Sequence, residues 1–147
     1  MTPDEDRKSW MSLLAKSPAD MLQQLWDGFE GVEPHTFLRA PEAGGVMVRG
    51  RTGATGAPFN LGEMTVTRCS LKLPGGQVGH GYVQGRDKAH ATRAALVDAH
   101  MQTDIAPKLR RAVLDQLEAS MTAARNTRAA KAAATKVDFF TLARGED

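Results

Sequence analysis

The chain has 147 residues, 41% hydrophobic and 24% charged, which predicts one folded domain and excludes both a multi-module enzyme and a chain disordered throughout. Nineteen Lys and Arg oppose seventeen Asp and Glu for a formal charge of +2, too balanced for a general nucleic-acid coat protein. The lone Cys69 supplies neither an internal disulfide nor a thiolate metal cluster and points to a reducing compartment.

Charge divides the chain into three regions. Residues 1–33 carry three basic and seven acidic groups, residues 34–103 eight and four, and residues 104–147 eight and six. In the first, Trp10, Leu13 and Leu14 have helical spacing that stops at Ser17-Pro18, with Ser17 placed to cap and Pro18 to open a second helix to about Phe29. Met21, Leu22, Leu25, Trp26 and Phe29 give that helix one apolar face, so residues 1–33 read as a helical hairpin.

From Pro34 to Gln84 the period changes to alternation, and Gly and Pro become frequent. Strands are predicted over Gly45 to Arg51, Leu61 to Leu73 and Gln77 to Gln84, the last pair joined antiparallel through a turn at Gly75-Gly76. On the long strand Met64, Val66, Arg68, Ser70 and Lys72 share one face, whose mixed character predicts that it is only partly covered within the chain. Asp87 caps a helix to about Gln102, and Pro107 opens another in which Leu109, Val113, Leu117 and Met121 recur every fourth residue, continuing to about residue 134. A helix of that length runs about 40 Å, so its far end is expected to leave the body. Residues 135–147 form an apolar, partly β-like tail; Val137, Phe139, Phe140 and Leu142 are candidate interface residues for a docking strand. The fold class is α+β: an N-terminal helical hairpin, a small antiparallel sheet of three to four strands, long C-terminal helices over residues 87–134 and the tail.

The first residues are acidic where a signal peptide is basic, and no apolar run approaches the roughly 20 residues of a membrane helix, so a cytoplasmic location is expected. The densest chemical signal is the stretch from Val48 to Asn60, a strand running into a glycine-rich loop flanked by Arg49 and Arg51. Backbone N–H groups and guanidinium forks suit an anion, although the stretch matches neither the P-loop nor the dinucleotide fingerprint. Arg68, His80 in its Gly-His-Gly setting, and Arg86 at a helix start extend the set of anion- or partner-binding candidates. His80, His90 and His100 are unsuited as joint metal ligands, the last two lying about 280° apart around one helix. Ser70, Cys69 and Glu63 stand on the long strand with no His that local spacing associates with them. No catalytic, metal or cofactor set is expected from this chain alone.

Four segments, Leu38 to Glu42, Val46 to Arg51, Pro58 to Cys69 and Gly79 to Asp87, together with the Trp10-Met11 start and the Val137 to Thr141 end, closely resemble the G subunit family of the bacterial carbon-phosphorus lyase core complex. The resemblance spans essentially the whole chain. Gly45, Ala54 and Thr92 depart from the family pattern. What the resemblance implies is a part in phosphonate catabolism: with the H, I and L subunits, transfer of the ribose triphosphate of ATP to an alkylphosphonate such as methylphosphonate, with release of adenine. It also implies assembly with H, I and J subunits, with bond cleavage belonging to J and nucleosidase chemistry to I. The rival reading is a stand-alone phosphate-ester or ATP-dependent enzyme using the Arg49/Arg51 loop and His80. A nucleic-acid module on the basic helix Lys108 to Lys136 is disfavoured because that helix has no aromatic to stack a base.

Overall fold

The structure is a computed structural model that describes residues 2–51, 56 and 58–145, with the backbone alone described at 51, 58, 60 and 137–145. Helix α1 spans Pro3–Lys16 and starts on a capping box. Thr2 Oγ1 accepts the Glu5 N–H at 3.2 Å, and the Glu5 carboxylate accepts the Thr2 N–H at 3.1 Å. Pro3 fills a position whose N–H would be unpaired, and Asp4, Glu5 and Asp6 meet the positive end of the helix dipole. Ser17 does not cap the next helix as its sequence position suggests. Its hydroxyl turns back to Leu14 O at 2.8 Å and lies 3.3 Å from His90 Nε2. Helix α2, Ala19–Asp27, therefore begins from Pro18 without a side-chain cap.

Three strands, β1 (Thr36–Arg51), β2 (Pro58–Lys72) and β3 (Val78–Gln84), form one antiparallel sheet in the order β1-β2-β3. The predicted Gly75-Gly76 turn joins β2 to β3: Gly76 takes φ +95°, and the Leu73 N–H reaches Gln77 O at 3.0 Å. β1 is much longer than its alternation predicts. The added residues include Pro41 and Gly44, which are tolerated because β1 lies on the outer edge, where a missing N–H costs no ladder bond. Its register against β2 slips between Phe37 and Arg39, between Arg39 and Glu42, and between Val48 and Arg49. The glycine-rich loop expected beyond Arg51 falls largely on residues 52–55 and 57, outside the described residues.

Helix α3, Lys88–His100, is capped as predicted, with Asp87 Oδ1 accepting the His90 N–H at 2.9 Å. It lies between the sheet and the other helices, so Ala91, Ala94, Ala95, Leu96, Val97 and Ala99 are all buried. Its approach to β3 is set by two glycines. A Cβ on Gly79 would overlap the carbonyl oxygen of Ala95, and one on Gly81 that of Ala91. The glycines flanking His80 thus serve helix-on-strand packing rather than access to its ring. Helices α1 and α2 both pack against α3 and residues 110–114, and α1 also reaches β3. The two buried histidines tie these helices down. His100 donates from Nδ1 to Leu96 O at 2.7 Å and accepts the Glu33 N–H at Nε2 at 3.0 Å, edge-on to Trp26. Cys69 is buried on the covered sheet face, and burial pushes its thiol pKa up, with Thr92 opposing.

The C-terminal helix is one rod in three pieces: α4 (Ala106–Leu109), a π-helical turn (Arg110–Leu114) and α5 (Asp115–Gly145). Residues spaced by four overshoot one α-helical turn by about 40° each time. The wider π turn takes up that drift and keeps Leu109, Val113 and Leu117 all fully buried. Residues 118–128 border α1 across an open cleft, and every side chain from 122 to 136 is exposed. The expected docking strand is overturned: the backbone is helical through residues 137–143 and on to Gly145. An Ala-rich rod with no Pro or Gly between Pro107 and Gly145 extends by one bond per residue, and this outweighs the β preference of Val137, Phe139 and Phe140.

Candidate functional site

Two constellations stand on β3, one at its edge and one on its open face. At the edge, the fully buried Asp98 carboxylate of α3 receives four hydrogen bonds. Oδ1 accepts from Arg7 Nε at 3.1 Å and Trp10 Nε1 at 2.9 Å, while Oδ2 accepts from Arg7 Nη2 and the His80 main-chain N–H, both at 2.9 Å. Arg7 Nη2 and Gln102 Nε2 also donate to Val78 O, at 3.3 and 2.8 Å. The hydrogen bonds that Arg7 donates to Asp98 raise its pKa, burial lowers it and the charges of Asp98 and Asp4 raise it further. Side chains from α1 and α3 thereby occupy groups of β3 that would otherwise be an unpaired sheet edge. Sequence spacing has no signal for this cluster, because Arg7 and Asp98 are 91 residues apart.

On the open face, cross-strand pairing builds two rows. Arg39, Ser70 and His80 form one, and Glu42, Arg68 and Tyr82 the next, with Lys72 two residues beyond Ser70. Ser70 Oγ lies 3.0 Å from His80 Nδ1, an association that local spacing does not reveal but that the register set by the Gly75-Gly76 turn requires. The Arg68 guanidinium sits 5.9 Å from the Tyr82 ring centroid. Arg39, Glu42, Ala43, Gly44 and Arg68 line a recess of about 190 Å³. A larger cleft of about 550 Å³, bordered by Lys8, Met11, His80 and Tyr82, continues the face toward α1.

Of the residues singled out by sequence, the fold brings together Arg68 and His80 and adds Arg39. Arg49 and Arg51 lie elsewhere, toward the far end of the β1–β2 hairpin. Arg49 pairs with Asn60, ten residues along β2 from the partner of His80, a span of about 33 Å. Arg86 is exposed in the turn before α3. Val137, Phe139, Phe140 and Leu142 lie on the last turns of α5, their side chains outside the described residues. Among the described residues the Ser70–His80 pair has no carboxylate on its imidazole, since Asp98 binds the His80 main chain. A nucleophile, a base and a group orienting the base are therefore not assembled there.

Two elements extend past this body. The hairpin outruns β3, which pairs only with Val66 to Lys72 of β2, and carries exposed Met47, Phe59 and Leu61. The other is α5. The family model for the phosphonate metabolism protein PhnG matches residues 5–145. The chain belongs to the PhnG family. It is also similar to the alpha-D-ribose 1-methylphosphonate 5-triphosphate synthase subunit PhnG of Rhizobium meliloti (strain 1021), at 43% identity over 141 residues, covering 96% of this chain and 90% of that relative. The PhnG match takes in the hairpin and α5 as well as the body, so both extensions belong to what the family model describes. No helix among the described residues is long and apolar enough to cross a membrane.

Proposed function

We propose that this chain is a subunit of a cytoplasmic ribose methylphosphonate triphosphate synthase, needed with H, I and L subunits to transfer the ribose triphosphate of ATP to an alkylphosphonate with release of adenine. The complex is the transferase; this chain supports it, assembles with H, I and J subunits, carries no cofactor and has no turnover of its own. The observation that carries the reading is the likeness along 96% of the chain to a relative named as a subunit of that synthase. Exposed apolar side chains on the hairpin, at Met47, Phe59 and Leu61, suit burial against other chains. The rival stand-alone enzyme needs Arg49, Arg51 and His80 in one site, and the roughly 33 Å along β2 between Arg49 and His80 argues against it.

The test is coexpression of this chain with the H, I and J subunits, capture through an affinity tag, and assay of adenine release from ATP and methylphosphonate after adding the L subunit. Capture and a release that needs this chain are the expected results. Equal release from the complex lacking it overturns the requirement, and adenine or phosphate release by the purified chain alone revives the rival.

A further inference from the structure

We infer that the open sheet face around Ser70 is a binding site for a compact tetrahedral oxyanion, the phosphate or diphosphate group of a small molecule. Ser70 is the centre of a cross. Arg39 and His80 flank it on the neighbouring strands, and Arg68 and Lys72 stand two residues before and after it on its own strand. Neighbours in a sheet are about 5 Å apart across strands and about 7 Å apart at alternate positions along one. Register thus makes three basic residues neighbours of one serine, and none of them makes an ion pair among the described residues. A multiply charged anion at the centre would interact favourably with all three.

The donors are also held in place. Tyr82 lies beneath the Arg68 guanidinium, the Ser70 hydroxyl engages the His80 ring, and Asp98 fixes the His80 main chain from the sheet edge. Arg39 is bracketed by two slips in the β1–β2 register, and bulges of that kind re-aim side chains next to binding sites. Arg39 and Arg68 also share a recess of about 190 Å³ beside the Ser70 row. Glu42, which pairs across the strands with Arg68, also lines it. Its carboxylate disfavours an anion over the Arg68 row, which confines a compact oxyanion to the Ser70 side and excludes an extended acidic polymer running across both rows. The site stands apart from the synthase reading and needs no other subunit.

The test is titration of the full-length chain with inorganic pyrophosphate at constant ionic strength, followed by backbone amide NMR and calorimetry. Expected are amide shifts confined to residues 37–42, 68–72 and 78–82, with Arg68→Gln and Arg39→Gln each weakening binding about tenfold or more. Ser70→Ala removes the central hydroxyl with little risk to folding and weakens it too. Arg49→Gln, at the far end of the hairpin, changes binding by no more than about twofold, as expected for a distant, screened charge. An unchanged spectrum overturns the site, as does an equal loss in Arg49→Gln, which would mean diffuse charge. Loss of subunit capture in Arg68→Gln without any pyrophosphate binding assigns the face to a protein contact and also overturns it.

Discussion

Asp98 Oδ2 accepts the main-chain N–H of His80 at 2.9 Å, so a carboxylate on a buried helix stands in for a fourth strand at the edge of β3. The same carboxylate holds Arg7 and Trp10, making it the joint between α1, α3 and the sheet. Asp98→Ala leaves a partly buried guanidinium, an indole N–H and an edge amide without their acceptor. The expected loss is about 3–5 kcal/mol of unfolding free energy in a urea titration. A loss under about 1 kcal/mol would show that water replaces the carboxylate and that the joint is dispensable.

Gly81→Ala forces a methyl group into the carbonyl of Ala91, whereas Gly44→Ala adds one where nothing lies within 4 Å. The first is expected to cost about 1–3 kcal/mol through overpacking and the second less than about 0.5 kcal/mol. Thermal unfolding of the pair checks this. Equal midpoints would mean that α3 can lift from β3 without penalty.

Burial lowers the pKa of His90 below its ordinary 6.5, with Asp87 and the Leu14 backbone raising it and Arg93 lowering it further. Above about pH 6.5 both folded and unfolded chains hold a neutral ring, and this residue adds no pH dependence. As pH falls through that value the unfolded chain takes up the proton first, so stability declines until the lowered folded-state value is reached. Urea midpoints between pH 7.5 and pH 5 should show this decline, and His90→Gln should flatten it. An unaltered slope in the variant would place the proton uptake elsewhere.

Residues 122–136 of α5 are exposed, so ending the chain after Met121 is expected to leave the unfolding midpoint of the body within about 2 °C. Capture by coexpressed H, I and J subunits should fall sharply in the same variant. A stable body that is still captured in full would move the contact to the hairpin.

Much of the fold is legible in the sequence because local signals decide it. The Gly75-Gly76 turn and the Asp87 cap are each settled within a few residues. What depends on an element's neighbours is hidden. Residues 36–44 show no strand alternation in the sequence and are fixed as strand only by pairing with β2, and the β-rich composition near Phe139 competes with a helix already more than 20 residues long. The site divides in the same way. Arg68 and His80 stand out by residue type, and Ser70–His80 follows once the turn sets the register. Arg39 does not, since two register slips decide what it faces, and Asp98 sits in a helical pattern as though it were one more solvated acid.

The long outer strand carries a consequence for how much of this protein a cell can hold. β1 offers 16 residues of backbone along an open edge, and the side chains of residues 36–50 are all exposed or half-exposed. Pro41 and the register slips near Arg39 and Arg49 interrupt that edge, leaving residues 42–48 as its longest regular run for pairing with an extended segment, another copy included. Chain made in excess of whatever caps that edge meets its own kind first, so supply matched to that cap is a condition of staying dispersed.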